Sequence, residues 1–172
     1  MIFLIGKSGA GKTTLQRELE RRGWKAVVSY TTRPKRYEGE DNHIFISRAE
    51  FEKLNMMAKV EFNGELYGAT EEQICESDIY VIDPEGLKQV KGLGVSIYIK
   101  VDDNELIRRM RQRGDSEEMI RKRVENDKEK FKDAEELCDI IFEGMTLEDM
   151  ADICSDALAS ARVTKFPERR QL

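Results

Sequence analysis

The chain has 172 residues, with 29 Lys and Arg against 34 Asp and Glu, one His and three Cys. That length suits one compact domain with room for a small mobile appendage, and a hydrophobic content of 40% is enough for a real core. The 37% of charged residues are of mixed sign, unlike a disordered chain, and a net charge of −5 argues against a general nucleic-acid or anionic-membrane binder. The arginines are not spread evenly: seven of the 16 residues from Arg108 to Arg123 are Arg or Lys, so an acidic protein carries a cationic patch. Cys75, Cys138 and Cys154 form no CxxC or Cys/His spacing, which fits core or free thiols in a reducing compartment. Only five residues precede Gly6 and Lys7, and no apolar run approaches the roughly 20 residues of a membrane span. A cytoplasmic protein is expected.

In chain order, Ile2–Ile5 reads as a buried strand and runs directly into Gly6-Lys7-Ser8-Gly9-Ala10-Gly11-Lys12-Thr13, which fits G-x-x-x-x-G-K-[ST]. Glycines let the backbone wrap a phosphate chain and turn its N–H groups inward. The following helix start adds partial positive charge, Lys12 reaches the β and γ oxygens, and the Thr13 hydroxyl can ligate Mg²⁺. Leu15 and Leu19, four apart, continue as an amphipathic helix. Gly6 through Thr14 is therefore expected to bind a nucleoside triphosphate. A phosphate loop does not choose a reaction.

The next signal is Ser29-Tyr30-Thr31-Thr32-Arg33-Pro34-Lys35-Arg36. Pro34 disfavours helix at Arg33, so the segment presents two guanidinium forks from a loop, a match for phosphate oxygens. The bland alternative is a solvated basic loop. Residues 43–67 look like short strands around one helix (Ile44–Ile46, Ala49–Leu54, Val60–Phe62, Leu66–Tyr67), an inserted α+β lobe. His43 has no metal partner in the sequence, and Glu61 and Glu65 read as solvated strand charges. Ile79–Ile82 is a strand ending at Asp83. That carboxylate could hold a Mg²⁺ water or reach an acceptor, and Asp83-Pro84 is equally an N-cap followed by Pro at N1.

Val95–Val101 is a further strand, and a helix follows from Asp102/Asp103 to Gly114. Arg109 and Arg113, four apart, share one of its faces, with Leu106 and Met110 as anchors. The alternative is a charged surface helix balanced by Asp115, Glu117 and Glu118. Ile140–Phe142 is the last strand. A helix then starts at Thr146, with Asp149 three residues on, and carries Leu147, Met150, Ile153, Cys154, Ala157, Leu158 and Ala161 as an apolar stripe. From Arg162 the chain reads as a peripheral tail containing Pro167 and an Arg pair. Apolar strands alternating with helices predict an α/β fold of the P-loop NTPase type, a parallel sheet with helices on both faces.

Ser-Tyr-Thr-Thr-Arg-Pro-x-Arg after a Gly-rich GKT loop resembles the guanylate kinase family of nucleoside monophosphate kinases. Asn63-Gly64-x-x-Tyr67-Gly68, Ile82-Asp83-x-x-Gly86, and Arg109 with Arg113-Gly114 and Glu117–Arg123 are similar to further motifs of that family, so the likeness covers nearly the whole chain. It implies a core over 1–32, 70–108 and 124–172, an acceptor-binding lobe over about 33–69 and a helical Arg-rich lid over about 109–123. It also implies Mg²⁺ with ATP as phosphoryl donor. Ser29, Arg33, Arg36 and Tyr67 would bind the acceptor phosphate, with His43 and Asp83 in the same site, and Lys12, Arg109, Arg113 and Arg123 would surround the phosphoryl group in transfer. Phosphoryl transfer needs alignment and cations on the equatorial oxygens, which such a set supplies.

The resemblance departs at the base-reading positions. Ala58 stands where the family has its guanine-reading Glu, His43 where it has a Tyr, Ala69 (with Thr70 next) where it has a small hydroxyl residue, and Val81 where it has an Asp. Ala58 cannot accept from guanine's N1–H and amine; either Glu61 or Glu65 substitutes, or the acceptor is not GMP. Glu40-Asp41-Asn42-His43-Ile44 is similar to a stretch of kinases acting on ribose 1,5-bisphosphate. The expected activity is transfer from ATP to a nucleoside monophosphate, GMP or dGMP first, with ribose 1,5-bisphosphate or another monophosphate as the alternative and a non-catalytic protein-binding module as the second. Small nucleotides are the expected partners, with no nucleic acid and no membrane, in a monomer or a homodimer.

Overall fold

The computed structural model describes residues 1–62 and 64–165. Asn63 and the tail at 166–172, with Pro167 and the Arg pair, lie outside the described residues.

β1 (Ile2–Ile5) is buried along its whole length because it lies inside a parallel sheet covered on both faces. Its neighbours are β6 (Ile79–Val81) on one side and β7 (Val95–Lys100) on the other, with β8 (Ile140–Glu143) beyond β7. Alternate side chains feed two cores. Ile2 and Leu4 pack with Leu15 and Leu19 of α1 (Lys12–Arg21), Leu106 and Met110 of α5 (Asp103–Gln112), and Cys154 and Leu158 of α8 (Leu147–Lys165). Phe3 and Ile5 pack on the opposite face with Leu87 and Val90 of α4 (Pro84–Val90) and with Phe131 and Ala134. Each fully buried side chain of this kind contributes roughly 1.5–3 kcal/mol. The parallel order places the carboxyl ends of β1 and β6 together, so the loop after β1 and the turn at Asp83 meet at one edge of the sheet.

A second sheet has the order β3-β2-β5-β4. β2 (Tyr30–Thr31) pairs parallel with β3 (Ile44–Phe45) and antiparallel with β5 (Glu65–Thr70), which forms a hairpin with β4 (Met56–Phe62). The sheet thus begins at Tyr30 and ends at Thr70, beyond both ends of the 33–69 segment expected from sequence. β4 and β5 also outrun the apolar runs Val60–Phe62 and Leu66–Tyr67. An antiparallel hairpin with one open face takes polar residues such as Lys59 and Glu61 into its ladder. The lobe helix α2 (Arg48–Phe51) is shorter than Ala49–Leu54 and starts on a capping box between Ser47 and Glu50. α3 (Glu71–Cys75) leads back to β6.

The remaining helices differ from the expected pattern at three points. α6 (Glu117–Lys130) spans 14 residues and carries the chain past Arg123 to the site before α7 (Ala134–Leu137). In α8 the Thr146 cap holds, the Asp149 N–H donating to its hydroxyl at 3.1 Å. However, Leu147 and Ile153 of the expected stripe are 37% and 41% exposed, while Ala151 is buried in their stead. The helix also continues through Arg162 to Lys165, where a peripheral tail was expected. The Arg162 guanidinium sits 4.3 Å from the Trp24 ring centroid and donates to Asp78 at 2.8 Å, which anchors the turn the pattern left out.

Candidate functional site

The loop between β1 and α1 turns on Gly9 (φ 84°) and Gly11 (φ 99°), a region that side chains with a Cβ rarely enter. Lys12 folds back beneath the loop, its ammonium donating to the Gly6 carbonyl and, at 3.0 Å, to the Lys7 carbonyl. Burial pushes the Lys12 ammonium down to about 8; Asp127 opposes that shift, and Lys130, Arg113 and Arg123 add to it. Ser8, Gly9, Gly11, Lys12, Thr13 and Thr14 line a cavity of about 500 Å³ whose far wall is Arg109, Arg113 and Arg123. Lys7 points elsewhere, to Asp103 at 2.7 Å. Ala10 and Arg109 open onto a neighbouring cavity of about 360 Å³ that continues to Phe142, Met145 and Met150.

The three arginines come from two helices. α5 is capped by Asp102, which accepts from the Asn104 N–H at 2.9 Å, and ends before Gly114 at φ 90°. On it Arg109 bonds Glu105 at 2.8 Å and the Gly9 carbonyl at 3.3 Å. Arg113 is paired with Asp115, and Arg123 arrives from α6.

A second cavity, of about 270 Å³, lies on the other side of Lys12. Ser8 and Lys12 line both. Of the residues expected here, Ser29, His43, Tyr67 and Asp83 line it. The Ser29 hydroxyl and His43 Nδ1 are 2.9 Å apart, and the His43 ring meets Tyr67 edge-on at 5.7 Å. Burial lowers the His43 pKa, and the nearby Arg33 charge lowers it further. Asp83 caps α4, accepting from the Gly86 N–H at 2.7 Å, and its other oxygen pairs with Lys130 at 2.5 Å at the cavity wall.

Arg33 and Arg36 do not line this cavity. The Arg33 fork is closed on Glu40, at 2.8 and 3.2 Å, and Glu40 is only 2% exposed. The Arg33 hydrogen bonds hold the Glu40 carboxyl down at about 2, and the Arg36 N–H adds a third bond at 2.7 Å. Arg33 Nε is buried without a hydrogen-bond partner, while the Arg36 residue is exposed.

Asp127 and Lys130 are the charged lining residues that sequence reasoning missed, along with the apolar wall of Val60, Phe62 and Phe131. Asp127 Oδ2 accepts the Ser8 N–H at 2.6 Å, and Lys130 also lies 5.0 Å from the Phe62 ring centroid. Nothing local marks either: both sit in a charge run that reads as a solvated helix face. The base-reading positions are just as plain. Ala58 is buried opposite Ala69 in the hairpin. Glu61 pairs with Arg48 at 3.7 Å, and Glu65 accepts from the Thr32 hydroxyl at 2.5 Å. Neither lines the cavity, whereas Val81 does.

Among the described residues no group of three or more His, Cys, Asp or Glu is placed to hold a metal. The Thr13 hydroxyl opens on the larger cavity beside Lys12, a donor set that fits a Mg²⁺ brought in on polyphosphate and not a metal held by the protein alone. No helix among them is long and apolar enough to cross a membrane.

The model of the family described as guanylate kinase matches residues 1–161. The fold is similar to a crystal structure of guanylate kinase from Anaplasma phagocytophilum, at 23% identity and a TM-score of 0.69, over 94% of this chain and 85% of that one. It is also similar to shikimate kinase from Acinetobacter baumannii in complex with shikimate, at 17% identity and a TM-score of 0.52, over 94% of both chains. No curated protein matches in sequence.

Proposed function

The chain belongs to the guanylate kinase family, and from that premise we propose that it transfers the γ-phosphoryl of ATP to GMP or dGMP, yielding the diphosphate and ADP. The observation that supports this reading is the shared wall: Ser8 and Lys12 face two cavities at once. ATP lies along the phosphate loop with its base toward Met145 and Met150, and the acceptor lies between Ser29, His43, Tyr67 and Asp83. Phosphoryl transfer needs donor and acceptor oxygens in line, with cations on the equatorial oxygens. Lys12 stands between the two oxygens, and Arg109, Arg113 and Arg123 close from the donor side. Their partners Glu105 and Asp115 belong to the same partly exposed rim, so the arginines can exchange a carboxylate for a phosphate at small cost. The Thr13 hydroxyl would hold Mg²⁺ brought in with the ATP, which would supply further charge neutralisation. Arg33 acts by holding the loop that presents Arg36, and Arg36 reaches the acceptor phosphate. Closure of the lobe and the arginine helices excludes water.

A second acceptor has a specific observation in its favour. Ala58, Glu61 and Glu65 offer no carboxylate to the cavity, so a phosphorylated sugar such as ribose 1,5-bisphosphate suits a site without a base reader. Acceptor-dependent ADP release with Mg-ATP, measured across GMP, dGMP, AMP, dTMP, CMP and ribose 1,5-bisphosphate, separates the two. GMP activity that disappears in Lys12→Ala is the expected result. Activity with the sugar bisphosphate alone replaces the acceptor, and ADP release with none of them ends the kinase proposal.

A further inference from the structure

Asp127 is 119 residues from Ser8 along the chain, yet its carboxylate is the hydrogen-bond acceptor for the Ser8 amide. That amide belongs to the wall between the two cavities. Phosphate-loop amides are donors to phosphoryl oxygens, so a carboxylate oxygen at 2.6 Å stands where a substrate oxygen is due. One N–H cannot serve both at full strength. Asp127 and a polyphosphate are also of like sign, and like charges brought together in a partly closed site oppose binding.

We propose that Asp127 is a positioning residue of the phosphate loop, an internal anion that keeps the Ser8 amide aimed at the transfer point and is exchanged for a substrate phosphoryl oxygen. The inference rests on the phosphoryl-transfer reading and adds an element to it. Arg123 and Asp127 are four apart on α6, hence on one face, and Lys130 on the next turn holds Asp83. Release of Asp127 by an incoming phosphate therefore loosens one anchor of the helix that carries Arg123. Entry of the phosphate and approach of the arginine become a single coupled event.

Titration calorimetry with ATP in EDTA, and with inorganic tripolyphosphate, tests this without a contribution from metal. Asp127→Asn keeps the shape and a neutral acceptor, and it is expected to bind both ligands about tenfold more tightly than the wild type, because the bond to be displaced is no longer charge-assisted. Asp127→Ser, too short to reach Ser8, is expected to do the same, and it carries the test if the first variant fails to fold. Glu129→Gln, the same change of charge at an exposed position of α6, is expected to stay within about twofold of the wild type. A loss of function through damaged structure cannot tighten binding. Equal or weaker binding by the Asp127 variants overturns the proposal, as does equal tightening by Glu129→Gln. A wild type that binds ATP without an Asp127 effect removes this inference alone, whereas a wild type that binds neither ligand removes the phosphoryl-transfer reading with it.

Discussion

The two sides of Lys12 handle positive charge in opposite ways. On the donor side, Arg109 and Arg113 have side chains 41% and 53% exposed and lean on the partly buried Glu105 and Asp115, so solvent screens one end of each pair. On the acceptor side, the Arg33 fork is shut on a buried Glu40 and the loop backbone joins the same carboxylate. Loose pairs can change partners when a phosphate arrives. A buried bidentate pair cannot do so without stranding a charge. Under the proposed function, the contrast would separate arginines that grasp from an arginine that builds, although all of them look alike as phosphate ligands in the sequence.

The largest effect belongs to the wall itself: Lys12→Ala is expected to lower kcat by on the order of 10²–10³, measured as GMP-dependent ADP release. Arg123→Ala, on the grasping side, should lower kcat by roughly tenfold to a hundredfold with little change in melting temperature. An Arg33→Ala variant with the same profile would erase the contrast. The building role predicts instead that Glu40→Gln raises the acceptor KM by roughly tenfold and leaves kcat nearly intact.

Glu40 gives a pH signature as well. Its carboxyl is held below the ordinary value of 4.5, at about 2. A depressed carboxylate stabilises the fold above its unfolded value and stops doing so as the pH falls through its folded one. Melting temperatures of Glu40→Gln should therefore flatten between pH 4.5 and about 2 relative to wild type. Lys12 gives the alkaline counterpart. With its ammonium at about 8 before substrate binds, kcat/KM should decline above that pH, and kcat should hold to a higher pH because bound phosphates favour the charged form. The smallest effect is Ser29→Ala, which removes one hydrogen bond to His43 and should raise the acceptor KM about threefold.

The legible part of this site was local. Gly9, Gly11, Lys12 and Thr13 signal their geometry within eight residues, since the loop, the strand before it and the helix after it are contiguous. Arg109 and Arg113 were legible through helical spacing, and Asp83 through its Pro. Asp127 and Lys130 were not, because their meaning depends on how deep α6 runs past the phosphate loop, a tertiary register that a charge run does not encode. Arg33 shows the same limit from the other side. Its residue type pointed to phosphate, and only the buried position of Glu40 shows what its fork holds. β4 and β5 outgrew their apolar cores for a related reason, since an exposed hairpin face accepts Lys59 and Glu61 as readily as valine.

The Arg162 contact also makes a spectroscopic handle. Trp24 is the chain's one tryptophan, its indole N–H donates to Ser155 at 3.2 Å, and its ring lies under the Arg162 guanidinium. Its emission therefore reports the seating of α8 against the end of α1, away from both cavities. A thermal melt followed by that emission coincides with one followed by circular dichroism only if α8 detaches in the same step that dissolves the sheet.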